Sequence, residues 1–165
     1  GPMSNIKSLK IIPIINKIRK NYKYVFLARE LHQKNHSSFK EYGGKYPHHC
    51  IENTSGSEFH IYLDKKDDDI IITRGTLQKY DSSSAFYDAD EINKPTNLKD
   101  LLQINHIIKL YFCGLNMDTS LFSTIIDAVN YKYKCYVYTD AIGYINEDQY
   151  IEKIEYLTKL GIVFL

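Results

Sequence analysis

The sequence predicts an α/β fold, an open parallel sheet with helices on both faces in three layers. Three stretches carry that prediction. In the first, the apolar run Ile107–Cys113 breaks at Gly114 and gives way to helical spacing from Leu121 to Asn130. In the second, Lys134–Tyr138 combines Val137 with aromatic residues, as a strand does. In the third, amphipathic spacing over Glu147–Lys159 precedes the short apolar stretch Gly161–Leu165. Strand, helix, strand, helix, strand in that order calls for crossover connections, and hence for parallel strands.

The remaining elements follow in chain order. Gly1-Pro2 ahead of Met3 reads as a cleavage scar, and 3–165 reads as a single domain. Pro13 suits a first helical turn, so a helix is expected from about Ile12 to Lys20, with Ile14, Ile15 and Ile18 on one face. Tyr24–Ala28 is expected as a buried strand that delivers Arg29 and Glu30 at its C-terminal end. A loop containing Gly43-Gly44 and Pro47 follows, then a charged turn at Leu63–Asp68 and a second buried strand at Asp69–Thr73. Thr96-Asn97 offers capping groups for a short helix over Leu98–Ile104, and Ile107–Cys113 is then a buried strand.

Composition narrows the function. Twenty-one Lys and Arg against 20 Asp and Glu leave a net charge of +1, which gives no electrostatic basis for binding nucleic acid or an anionic membrane. No apolar run approaches the roughly 20 residues of a membrane span, and no secretory signal is read before Leu9, so a cytoplasmic protein is expected. Cys50, Cys113 and Cys135 are too few and too scattered for a disulfide framework, and reduced thiols are expected.

Two places carry chemistry. The loop from Glu30 to His49 gathers Glu30, His32, His36, His48 and His49, and imidazole with carboxylate suits zinc or iron; the competing reading is solvated surface histidines. The turn before Leu121 puts Asp118, Thr119 and Ser120 at a helix N-terminus, whose free N–H groups favour an oxyanion or an activated nucleophile.

Several segments together resemble a known family. C-G-L-N-M-D-T-S, residues 113–120, resembles the Cys-Gly-Leu-Ala-Thr-Asp-Tyr-Cys signature of the nicotinamidase and isochorismatase-like cysteine hydrolases. A-R-E-L-H-Q-K-N-H-S-S-F (28–39), K-Y-P-H-H-C (45–50), I-I-T-R-G (71–75) and D-S-S-S-A-F (81–86) resemble further family segments in the same order. The resemblance implies a divalent metal, zinc first, at Glu30, His32 and His49 with His36 in or near the shell. It also implies a pocket for a small pyridine-like ligand lined by Asn116 and Tyr46. His60 matches a family position too but reads as a structural histidine.

The catalytic residues depart from the family pattern. Ser120 stands where the family has its nucleophilic Cys, Arg74 where it has Lys, and the family Asp has no counterpart because the first strand is apparently lost. A guanidinium stays protonated and cannot relay a proton as a buried amine can. The expectation is a pseudoenzyme kept for binding or assembly. The alternatives are an amide hydrolase using Ser120 or a metal-bound water, and a purely structural subunit. Loss of a central strand would leave two open edges, so Tyr24–Ala28 is expected to pair directly with Ile107–Cys113, in a homo-oligomer or a larger assembly.

Overall fold

The computed structural model describes residues 8–165, and the chain divides into two compact units. The fold is α/β with parallel sheets. None of the helices among the described residues is long and apolar enough to cross a membrane.

One unit covers Tyr22–Lys99. Strands β1 (Phe26–Glu30) and β2 (Ile70–Arg74) form a parallel pair in unbroken register, from Phe26 opposite Ile70 to Glu30 opposite Arg74. The β-branched run Ile-Ile-Ile-Thr explains β2, and Ile72 is its buried anchor. The first strand lies two residues further on than the sequence pattern places it. It is also half-exposed rather than buried, since among the described residues it has a ladder on one edge only. Phe39, Phe86 and Ala89 complete the apolar interior.

Strands β3 (Tyr87–Ala89) and β4 (Lys94–Pro95) are antiparallel, and Asp88 on β3 fastens the turn that follows β2. Its carboxylate accepts from the Thr76 amide at 2.9 Å, the Thr76 hydroxyl at 2.8 Å and Lys94 Nζ at 2.9 Å. Burial alone would raise the Asp88 pKa, but these donors outweigh it and hold the acid below its ordinary value. A depressed carboxylate stabilises the fold above its unfolded pKa of about 3.9 and loses that contribution as pH falls through the lower folded value. Asp88→Asn is therefore expected to cost about 2 kcal/mol at neutral pH. The difference from wild type should shrink below about pH 4, and urea melts at pH 7 and pH 3 check both statements.

The other unit combines Asp100–Leu165 with the N-terminal helix. Helix α1 (Ser8–Ile18) starts earlier than expected, so Pro13 lies inside it rather than in its first turn. The proline removes one hydrogen bond, to the Leu9 carbonyl, close to an exposed helix start where water can replace it. Helix α2 (Leu98–Ile104) crosses the boundary between the units and begins where the sequence places it, with Thr96 Oγ1 accepting from the Leu98 amide at 3.2 Å.

Strands β5 (Lys109–Gly114), β6 (Lys134–Ile142) and β7 (Val163–Phe164) form a parallel sheet in that order. Helix α3 (Ser120–Asn130) buries Leu121, Ile125 and Ala128, a stripe at helical spacing. Helix α4 (Glu147–Lys159) is capped by Asn146, whose side chain accepts from the Gln149 amide.

Two sequence expectations are corrected here. β5 is not a buried strand: Lys109 and Tyr111 are exposed and the rest of it is half-buried, because among the described residues it is laddered on one edge only, by β6. Nor is the expected pairing of 24–28 with 107–113 found among the described residues, whose ladders are β1–β2, β3–β4 and β5–β6–β7. The expected loss of a first strand concerns a stretch that lies mostly outside the described residues; its last part, Ser8–Lys10, belongs to α1.

Candidate metal centre and nucleophile position

The parallel register of β1 and β2 sets up the first site. Glu30 and Arg74 are 44 residues apart in sequence yet face each other at the strand ends, where the guanidinium pairs with Glu30 Oε1 and also donates to the Ser82 carbonyl. Arg74 is buried, and Glu30 is the anion it holds. Burial alone would raise the Glu30 pKa. The His49 hydrogen bond and the Arg74 charge outweigh it and bring the carboxyl down to about 2, so it is ionised at neutral pH.

The other carboxylate oxygen, Oε2, looks toward two histidines, with His49 Nε2 at 3.5 Å and His32 Nε2 at 4.0 Å. On the far side of each ring, Nδ1 meets a backbone carbonyl at 2.8 Å, Gly75 for His32 and Pro47 for His49. A carbonyl only accepts, so Nδ1 carries the proton on both rings and Nε2 is the nitrogen that faces Glu30; His49 Nε2 donates to the carboxylate when its ring is protonated and offers a lone pair there once the ring is neutral. Burial lowers the pKa of His32. For His49 burial acts the same way, but Glu30 and the Pro47 carbonyl outweigh it and the pKa is raised.

His32 Nε2 is buried and has no hydrogen-bond partner among the described residues. A buried nitrogen lone pair left unpaired is costly, and a cation between it, His49 and Glu30 would satisfy it. The donor set fits as well. The spacings of 3.5 and 4.0 Å compare with roughly 3.4 Å between tetrahedral ligands that each lie about 2.1 Å from zinc. All three donors fall within 4.8 Å of one another.

His36 joins the cluster as packing. Its ring stacks on His32 at 4.1 Å, but its Nδ1 accepts from the Ser38 amide at 3.2 Å and its Nε2 then donates to the Tyr80 carbonyl at 3.0 Å. Both nitrogens are hydrogen-bonded in this arrangement, while His36, His32 and Asp81 form a second group whose possible ligand atoms lie within 4.8 Å of one another. Tyr46 sits edge-on to His49 at 5.6 Å and is exposed. His60 lies outside the cluster, exposed, and accepts from the Tyr62 amide at 3.2 Å.

Sequence reasoning missed the two carbonyls that orient the rings, although the Gly after Arg74 was a signal. Gly75 has φ +68°, and a Cβ there would stand 2.6 Å from His32 Cε1 and 3.0 Å from Nδ1. Gly75→Ala is therefore expected to cost at least about 1–2 kcal/mol from the backbone conformation and to push His32 out of place. Zinc affinity should fall more than tenfold, while Gly56→Ala, whose Cβ would meet only Thr54 Oγ1 at 3.6 Å, should leave melting and binding unchanged.

The second site belongs to the other unit. Ser120 opens α3, half-buried, and its carbonyl accepts from the Thr124 hydroxyl at 2.8 Å. Among the described residues no titratable side chain hydrogen-bonds the Ser120 hydroxyl. Asn116 follows a cis peptide bond, and its carbonyl accepts from the amides of Thr119 and Leu121. Asp118 is buried and accepts from the amides of Ile145 and Asn146, which ties the start of α3 to the segment entering α4. Burial raises Cys113, Cys50 and Cys135 to about 11 each, so none is a thiolate at neutral pH.

Residues 5–165 match the isochorismatase domain family. The chain is 30% identical to the nicotinamidase of Acinetobacter baylyi, over 80% of this chain and 69% of that protein. It is 28% identical to the nicotinamidase of Schizosaccharomyces pombe, over 84% of this chain and 73% of that protein. Among solved structures, the pyrazinamidase of Pyrococcus horikoshii in complex with zinc superimposes with a TM-score of 0.91 at 28% identity, over 100% of this chain and 89% of that one.

Proposed function

Because the chain belongs to the isochorismatase domain family and is similar to nicotinamidases, we propose that it is a nicotinamidase-like protein that has lost amide hydrolysis and is retained for binding and assembly. The observation that carries this reading is Ser120. It occupies the position of the family nucleophile with no base bonded to its hydroxyl among the described residues, and a serine without a base is a weak nucleophile. Arg74, at the position of the family lysine, is fixed by Glu30 and the Ser82 carbonyl and stays charged. The three thiols, protonated at neutral pH, offer no substitute.

The binding function proposed is one divalent cation, zinc, held by Glu30, His32 and His49, with a small pyridine-like ligand as the organic partner. Three protein donors leave a position open, and bound zinc would polarise a ligand group or water there. The zinc complex of the Pyrococcus pyrazinamidase and the orphaned His32 Nε2 both support the metal. Assembly with a second copy or a larger complex, in the cytoplasm, completes the proposal, and the free cysteines suit a reducing compartment. A solution mass of a single 19.3 kDa chain would remove the assembly part.

The test is calorimetric titration of zinc-loaded protein with nicotinamide, alongside an ammonia assay. Saturable binding without ammonia release is expected. Enzyme-like turnover would overturn the loss of hydrolysis, and absence of any binding would overturn the choice of ligand.

A further inference from the structure

We infer that Arg74 is a positioning residue for the metal site, holding Glu30 as a ligand that offers a single oxygen. This rests on the reading of Glu30, His32 and His49 as metal ligands. The guanidinium is buried and anchored twice, on Glu30 Oε1 and on the Ser82 carbonyl, and Ser82 is itself buried with its hydroxyl bonded to the Ser84 carbonyl at 3.1 Å. The backbone at the same place is equally fixed: Glu30 and Arg74 are register partners, and the Arg74 carbonyl accepts from the Leu31 amide at 3.0 Å. The bond to the Ser82 carbonyl fixes the planar guanidinium, and its other nitrogen then fixes where Oε1 of the carboxylate lies. Oε1 is thereby occupied, and Oε2 is the oxygen turned toward the two Nε2 atoms.

A single available oxygen with two imidazoles favours zinc or cobalt over calcium, which seeks six to eight oxygens and often both oxygens of a carboxylate. The guanidinium charge opposes a second cation, so positioning and repulsion push affinity in opposite directions. The positioning effect is the larger one in this inference, because a carboxylate without its partner can rotate away from the histidines.

Zinc dissociation constants, measured by competition with a chromophoric chelator, separate the two effects. Arg74→Met is expected to weaken zinc by about 10–100-fold, and Arg74→Lys, whose ammonium can still pair with Glu30 Oε1 and so keeps part of the positioning, by less. In a Glu30→Ala background, Arg74→Met should change affinity less than twofold. The visible spectrum of bound cobalt(II) in Arg74→Met should also approach that of Glu30→Ala, a signature that general loosening of the fold would not give. Zinc binding in Arg74→Met as tight as wild type, or tighter, overturns the inference. If that variant does not fold in EDTA, Arg74→Lys decides, and wild-type affinity in it is the overturning result. Failure of the wild type itself to bind zinc is distinguishable, since it removes the metal site along with this role of Arg74.

Discussion

Purified protein incubated with nicotinamide is expected to release no ammonia above the buffer rate. In an enzyme whose nucleophile and proton-transfer partner act as a unit, removing one costs about as much as removing all, on the order of a million-fold in kcat. On the proposed reading Ser120 stands at the nucleophile position and Arg74 at the lysine position, which changes two members. Ser120→Cys alone is expected to stay inactive. The helix start that would favour a thiolate remains, but the family's proton-relaying lysine is still a guanidinium tied to Glu30. The decisive contrast is between variants. Ammonia release at an enzymatic rate that Ser120→Ala abolishes would show a working serine nucleophile and refute the prediction. Release that survives Ser120→Ala but disappears in His32→Ala would point to a metal-bound water.

Elemental analysis of protein purified without chelator is expected to find about one zinc per chain. His32→Ala should reduce it to background, and His60→Ala should not change it. The asymmetry follows from geometry. His32 is buried, its Nδ1 is bonded to the Gly75 carbonyl, and its Nε2 has no hydrogen-bond partner among the described residues. His60 is exposed and bonded to its own loop. Zinc supplied at one hundred times its dissociation constant should stabilise the wild type by about 2.7 kcal/mol, read as a rise in melting temperature over EDTA-treated protein. A melt that zinc leaves unchanged, together with metal content near zero, would sink the site. His36→Gln is an informative companion: it should lower the melting temperature through lost loop bonds while zinc stoichiometry stays at one.

Local signals in the sequence determined the order and kind of the elements other than the antiparallel pair β3 and β4, which no sequence pattern singled out. The boundaries of α2 and α4 were legible because capping residues and helical spacing act within a few positions, and β2 was legible from its β-branched run. The family segments likewise brought Glu30, His32 and His49 forward as a set. Tertiary structure decided the rest. Pro13 lies within a helix because nearby solvent relieves its lost bond, and β1 and β5 are half-exposed because burial depends on what flanks a strand rather than on its own residues. The Nε2 atoms of His32 and His49 point inward only because carbonyls of Gly75 and Pro47 hold the opposite nitrogens, and both nitrogens of His36 are bonded, to Ser38 and Tyr80. Arg74 meets Glu30 across 44 residues through the register of a parallel ladder. No local pattern encodes such a pairing, because register is settled by contacts between segments distant in sequence, and those contacts form only when the chain folds.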